Sequence, residues 1–91
     1  MPDLDIAASD AHVYDVTITA DDGTTTSHRV TVPGRLLADL GLTDAQEPTL
    51  VRASMVYLLE REPPGSILPA FSLDDISRYF PDYPTEISTR L

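Results

Sequence analysis

The stretch HVYDVTITADDGTTTSHRVTV, residues 12–32, holds two β-branched runs separated by a glycine-containing turn, the pattern of an antiparallel hairpin. Its register decides which side chains share a face, because a one-residue slip moves every side chain to the other side of its strand. With Asp22-Gly23 as a two-residue turn, Val16 would oppose Arg29 and Ile18 would oppose Ser27, apolar against polar down the ladder. A three-residue loop, Asp21-Asp22-Gly23 with Gly23 left-handed in a bulge, instead pairs Tyr14 with Val30, Val16 with His28 and Asp15 with Arg29. That register sends Tyr14, Val16, Ile18, Val30 and Val32 to a core face and Asp15, Thr17, Thr19, Ser27, Arg29 and Thr31 to water.

A lone hairpin is not stable in water, so its apolar face requires a cover. The rest of the chain predicts helices. PGRLLADLGL reads as a short helix stopped by Gly41. Residues 43–47 form a connection, and Pro48 opens a helix that runs to about Glu62, where Pro63-Pro64-Gly65 ends it. In that helix Leu50, Val51, Met55, Tyr57, Leu58 and Leu59 cover more than half the circumference and leave a narrow polar strip at Arg52 and Glu60, which makes it central. Ser72 reads as the N-cap of a further helix, with Asp75 as the capping-box acid, Leu73, Ile76 and Phe80 on one face and Pro81 as its stop; PTEISTRL offers one or two more helical turns. Upstream of the hairpin, Leu4 and Ile6 alternate with Asp3 and Asp5, a weak strand signal inside a polar arm.

Ninety-one residues suit one small domain with a thin core, and 42% apolar content keeps the chain out of the disordered class. There is no cysteine to brace it. Fifteen acidic residues against six arginines and no lysine give a net charge of −9, a field that repels nucleic-acid phosphates and anionic lipid and attracts basic partners. The N-terminus lacks the basic start and apolar run of a signal peptide, and no stretch is long and apolar enough to span a bilayer, so the cytoplasm is the expected compartment.

No catalytic or metal signature stands out. In the hairpin register His12 faces Val32 and His28 faces Val16, about 13 Å apart at ~3.3 Å per residue, too far to share one ion. The hydroxyl-rich run at 24–27 has no nucleophile elbow, the acid pairs Asp21-Asp22 and Asp74-Asp75 suit turn formation and capping, and the four glycines are scattered singly. No set of metal ligands is expected to converge. What remains is REPPGSILPAFSLDDISRYFPDYP, residues 61–84, which carries five of the eight prolines and four of the six aromatic residues. Phe71 and Phe80 suit the core there, whereas Tyr79 lies off the Leu73-Ile76-Phe80 face and Tyr83 follows the helix stop. Both are expected at a rim, partly exposed, each offering a partner an apolar ring with a polar tip. Arg78 is expected to pair with Asp74, and Arg61 to meet carbonyls or an acid of the tail.

LLEREPPGSIL, the phenylalanine-led helix and ISRYFPDYPTEI, following a DG-turn hairpin, together resemble a pattern in small uncharacterised bacterial proteins, over roughly residues 12–90. The resemblance implies a freestanding bacterial protein and carries over no activity, cofactor, partner or functional residue. The expected fold is α+β. Residues 1–11 form a flexible N-terminal arm and residues 12–91 one small domain, an antiparallel hairpin packed on three to four short helices. The expected function is a non-enzymatic, acidic protein-interaction or accessory module without cofactor or metal, binding a protein partner or a second copy of itself through Tyr79, Tyr83, Arg78 and Arg61. Two alternatives stand beside it: an acidic phosphate mimic that inhibits a nucleic-acid-binding protein, with its acids ranked along one face, and a small enzyme with a polar pocket.

Overall fold

The computed structural model describes residues 2–91. It shows an α+β domain in which a four-stranded sheet carries helices on one face. The strands are β1 (Asp3–Asp10), β2 (Val13–Thr19), β3 (Thr25–Thr31) and β4 (Ala70–Ser72), in that spatial order. The helices are α1 (Gly34–Leu40), α2 (Glu47–Leu59), α3 (Ile76–Tyr79) and α4 (Tyr83–Thr89).

β2 and β3 form the expected hairpin in the expected register, with Val16 opposite His28 and Asp15 opposite Arg29. Ala20 and Thr24 close the three-residue loop through an Ala20 N–H to Thr24 C=O bond of 2.8 Å, and Gly23 is left-handed at φ 89°. The Asp22 carboxylate accepts the Thr24 N–H at 2.9 Å, and these turn bonds hold its pKa below the usual carboxylate value. Val16, Ile18, Val30 and Val32 are at most 1% exposed, and His28 joins them beneath the chain leading into β4. His28 Nδ1 meets the Leu68 carbonyl at 2.7 Å and Nε2 meets Thr26 Oγ1 at 2.9 Å, so both ring nitrogens of this buried histidine are satisfied.

Two strands flank this hairpin. Residues 3–10, expected as a flexible arm, form the eight-residue edge strand β1, paired antiparallel to β2. Its weak alternation suffices because Leu4 falls opposite Ile18 and Ile6 opposite Val16, so both half-buried side chains extend an apolar face that already exists. Asp3 and Asp5 alternate with them as exposed charges on the edge strand, a pattern that discourages edge-to-edge pairing with another sheet. On the far side, three residues after Pro69 pair parallel to β3, Val30 opposite Phe71.

α2 is the central cover. Leu50, Val51, Met55, Tyr57 and Leu58 are buried, and Arg52 is exposed, as the periodicity requires. α1 ends where Gly41 turns left-handed at φ 70°, sending N–H bonds back to the last carbonyls. The connection before α2 is itself ordered: Asp44–Gln46 makes a single 3-10 turn locked by a reciprocal Thr43–Gln46 capping box. α4 starts with Pro84 in its first turn and buries Ile87 against the core.

Gly23 meets no atom that an added Cβ would strike, so only its backbone conformation resists substitution. Gly23→Ala should therefore destabilise the fold by about 1–2 kcal/mol, and Gly23→Asn by less, since asparagine tolerates the left-handed region. Chemical denaturation of both variants measures this; an unchanged midpoint for Gly23→Ala would count against the assigned loop.

Candidate functional site

The segment 61–84 folds back across the end of α2 and leaves a groove of about 260 Å3. The capping box at its centre sets the shape: the Ser72 N–H donates to Asp75 Oδ2 at 3.1 Å and starts the turn that leads into α3. Ile76 then points inward and is 3% exposed. Leu68, Phe71, Tyr79 and Phe80, with Ile67 at the floor, supply apolar walls, and Glu62 and Asp75 supply two carboxylates. Leu68 is 49% exposed and Tyr79 69%; with Leu91 they are the large apolar side chains left open to water among the described residues. Phe71 and Phe80, expected in the core, are half-buried and form groove wall on one side and core contact on the other.

The four residues singled out from the sequence separate in space. Tyr79 sits at the groove rim, as expected. Tyr83 does not: it is fully buried, because the chain turns at Pro81 and carries it back under α2. There its hydroxyl meets Ser54 Oγ at 2.7 Å and its ring packs edge-on against Tyr57 at 5.4 Å between centroids. Burial pushes the Tyr83 hydroxyl up to about 12, outweighing the opposing effect of its bond to Ser54. Arg78 is exposed and lies 3.7 Å from Asp75; the expected partner Asp74 is taken instead by Arg35, at 2.5 Å. Arg61 stacks over the Tyr57 ring at 3.6 Å and donates to the Tyr57 carbonyl at 3.0 Å, one turn back on α2. Arg61 thus meets a carbonyl, one of the two partners expected of it; its acid is the neighbouring Glu60 at 3.5 Å instead of one in the tail, and Arg90 of the tail grips that same Glu60 through two bonds of 2.6 and 2.9 Å. Glu60 is held below the usual carboxylate range chiefly by that Arg90 hydrogen bond.

A second constellation went unrecognised in the sequence. His12, at the tight link between β1 and β2, adopts φ 61° and places Nδ1 2.5 Å from Glu47 Oε2. Glu47, the first residue of α2, is 3% exposed, and its other oxygen accepts the Tyr14 hydroxyl at 3.1 Å. Burial, then the bond to Glu47 and the charges of Glu47 and Asp44, raise the Tyr14 pKa. Asp44, His12 and Glu47 thus converge although 32 and 35 positions separate the histidine from the two acids in the chain. The expectation that no such set forms fails here, because residues 43–47 look in the sequence like a plain connection. Proximity across the fold leaves no local signal, and the left-handed position at residue 12 carries neither glycine nor asparagine to mark the turn.

No helix among the described residues is long and apolar enough to cross a membrane. Compared with protein-family models, curated proteins and solved structures, the chain matches none.

The split between the two tyrosines is measurable. Tyr83→Ala should lose about 3–5 kcal/mol of stability and Tyr83→Phe about 1 kcal/mol or more, because Ser54 is left unpaired, whereas Tyr79→Ala should stay within about 0.5 kcal/mol. Tyr57, whose buried hydroxyl has no hydrogen-bond partner, should tolerate phenylalanine without loss. Since Tyr83 favours its neutral form in the folded state, its contribution is intact below pH ~10, the unfolded value, and falls away as the pH rises toward about 12. Denaturant melts of the four variants, with an alkaline series on the parent, test each point; a stable Tyr83→Ala protein would refute the core assignment.

Proposed function

We propose that this protein is a non-enzymatic interaction module whose groove holds a short segment of a partner protein, an apolar side chain flanked by arginine or lysine. The observation that carries the reading is the pairing of Leu68 and Tyr79, two of the three exposed large apolar side chains among the described residues, which face one groove. The walls offer aromatic rings that present contact area at small entropic cost, and the Tyr79 hydroxyl supplies a polar tip at the rim. Glu62 at the groove, within a chain of net charge −9, favours basic residues beside the apolar anchor and speeds their encounter.

The phosphate-mimic alternative draws less support. Asp15, Glu60, Asp74 and Asp75 each lie within ion-pair distance of an arginine, and acids neutralised in this way are poor stand-ins for a row of phosphates.

Selection of displayed peptides against the whole protein, followed by fluorescence anisotropy on the winners, tests the proposal. The selected sequences should carry a large apolar residue next to arginine or lysine, and their affinity should weaken with added salt. Leu68→Ser combined with Tyr79→Ala should raise Kd about thirtyfold, the loss expected for anchors worth ~2 kcal/mol, while the melting temperature stays put. Peptides that bind the double variant as tightly as the parent would overturn the assignment of this groove.

A further inference from the structure

Away from the groove, His12, Asp44 and Glu47 bring one imidazole nitrogen and two carboxylate oxygens within 4.8 Å of one another. We propose that these three side chains form a binding site for a divalent transition-metal ion, with zinc the best fit. A donor set of imidazole plus carboxylates suits zinc and its first-row neighbours, whereas calcium and magnesium favour shells made of oxygen alone. Around a tetrahedral zinc with bonds near 2.1 Å, neighbouring ligand atoms lie about 3.4 Å apart, close to the span of these three donors, which lie within 4.8 Å of one another.

The surroundings hold the donors in place. Glu47 is buried at the start of α2, and the Tyr14 hydroxyl on Oε1 leaves Oε2 turned toward His12, the kind of outer hydrogen bond that orients a ligating carboxylate. Asp44 stands in the 3-10 turn that the Thr43–Gln46 capping box locks. His12 occupies the left-handed region at φ 61°, which histidine, like asparagine, visits more readily than most residues and which aims its ring at the start of α2. The half-exposed imidazole and the exposed Asp44 give an ion access from solvent, while Glu47 anchors it to the helix. His12 Nδ1 and Glu47 Oε2 stand 2.5 Å apart. An ion bound between them would hold the two atoms about 1 Å further apart. Three protein ligands leave the fourth position to water, and the bound ion ties the β1–β2 link to the first turn of α2.

Thermal unfolding of the full-length, chelator-treated protein with zinc chloride tests the site. At zinc about a hundredfold above Kd, the melting temperature should rise by on the order of 10 °C and return to its starting value on addition of EDTA. Calcium and magnesium at the same concentration should produce no comparable rise. Asp44→Asn and His12→Asn should each abolish most of the zinc effect; the first changes an exposed side chain, the second keeps a residue that tolerates positive φ, and circular dichroism checks that both fold. Because an acidic protein attracts cations everywhere, Asp39→Asn, an exposed acid on α1, serves as the control and should keep the full response. No rise with zinc in the parent, an equal rise in the Asp44 and His12 variants, or an equal rise with calcium would overturn the proposal.

Discussion

The pairing of Val16 with His28 decides which side of this small sheet must be buried, and the rest of the architecture follows from that parity. With the three-residue loop at Asp21-Asp22-Gly23, Tyr14, Val16, Ile18, Val30 and Val32 fall on one face, and the other face is left mostly to polar side chains, Asp15, Ser27, Arg29 and threonines, with Val13 at its end. A one-sided sheet of two strands cannot exclude water from its apolar face, so the remaining chain is committed to covering it. α2 does most of this. Its apolar arc, wider than half a turn, lets it contact the sheet on one side and the C-terminal helices on the other, with Tyr57 meeting both Phe80 and Tyr83 edge-on.

The prolines of the C-terminal third direct the chain rather than decorate it. Pro63 and Pro64 end α2, Pro69 precedes a strand too short to have been anticipated, and Pro81 reverses the path so that Tyr83 is drawn beneath α2. The groove is the gap left between these reversals. The walls of the groove and the core packing of Phe71 and Phe80 are therefore two sides of the same residues, which is why an interaction surface and an architectural corner coexist in one stretch. Arg61 and Arg90 shield the Tyr57 ring from the outside, and Arg90 fastens the tail to Glu60. Such an exposed pair contributes little alone, and its value lies in closing the C-terminus over the aromatic cluster.

Polar contacts do the corresponding work at the other end. Glu47 is the one acid buried among the described residues, and burial of a carboxylate is tolerated only when hydrogen bonds satisfy it. Tyr14 and His12 supply them from β2 and from the link before it, so the register of the sheet also places the groups that receive the helix N-terminus. The hairpin gains from the same arrangement, since the His12 backbone carbonyl accepts the Val32 N–H and continues the β2–β3 ladder by one bond.

The sequence by itself determined whatever depends on neighbours in the chain or on strand parity. The hairpin register, the Gly23 and Gly41 conformations, the Ser72–Asp75 capping box and the central character of α2 were all legible, because each is a local preference or a periodicity that only one arrangement satisfies. Tyr79 at the rim belongs with these, being off the apolar face of its own helix. Only the tertiary structure decided the rest. Leu4 and Ile6 become strand residues because β2 offers them a face, and Tyr83 becomes core because Pro81 turns the chain inward. Leu68 stays exposed while its neighbour Ile67 is buried, and His12 meets Asp44 and Glu47. These outcomes rest on contacts between different elements, from the neighbouring strand to segments more than thirty residues away, whose closure is set by how the whole core packs and leaves no mark on the local pattern of either segment.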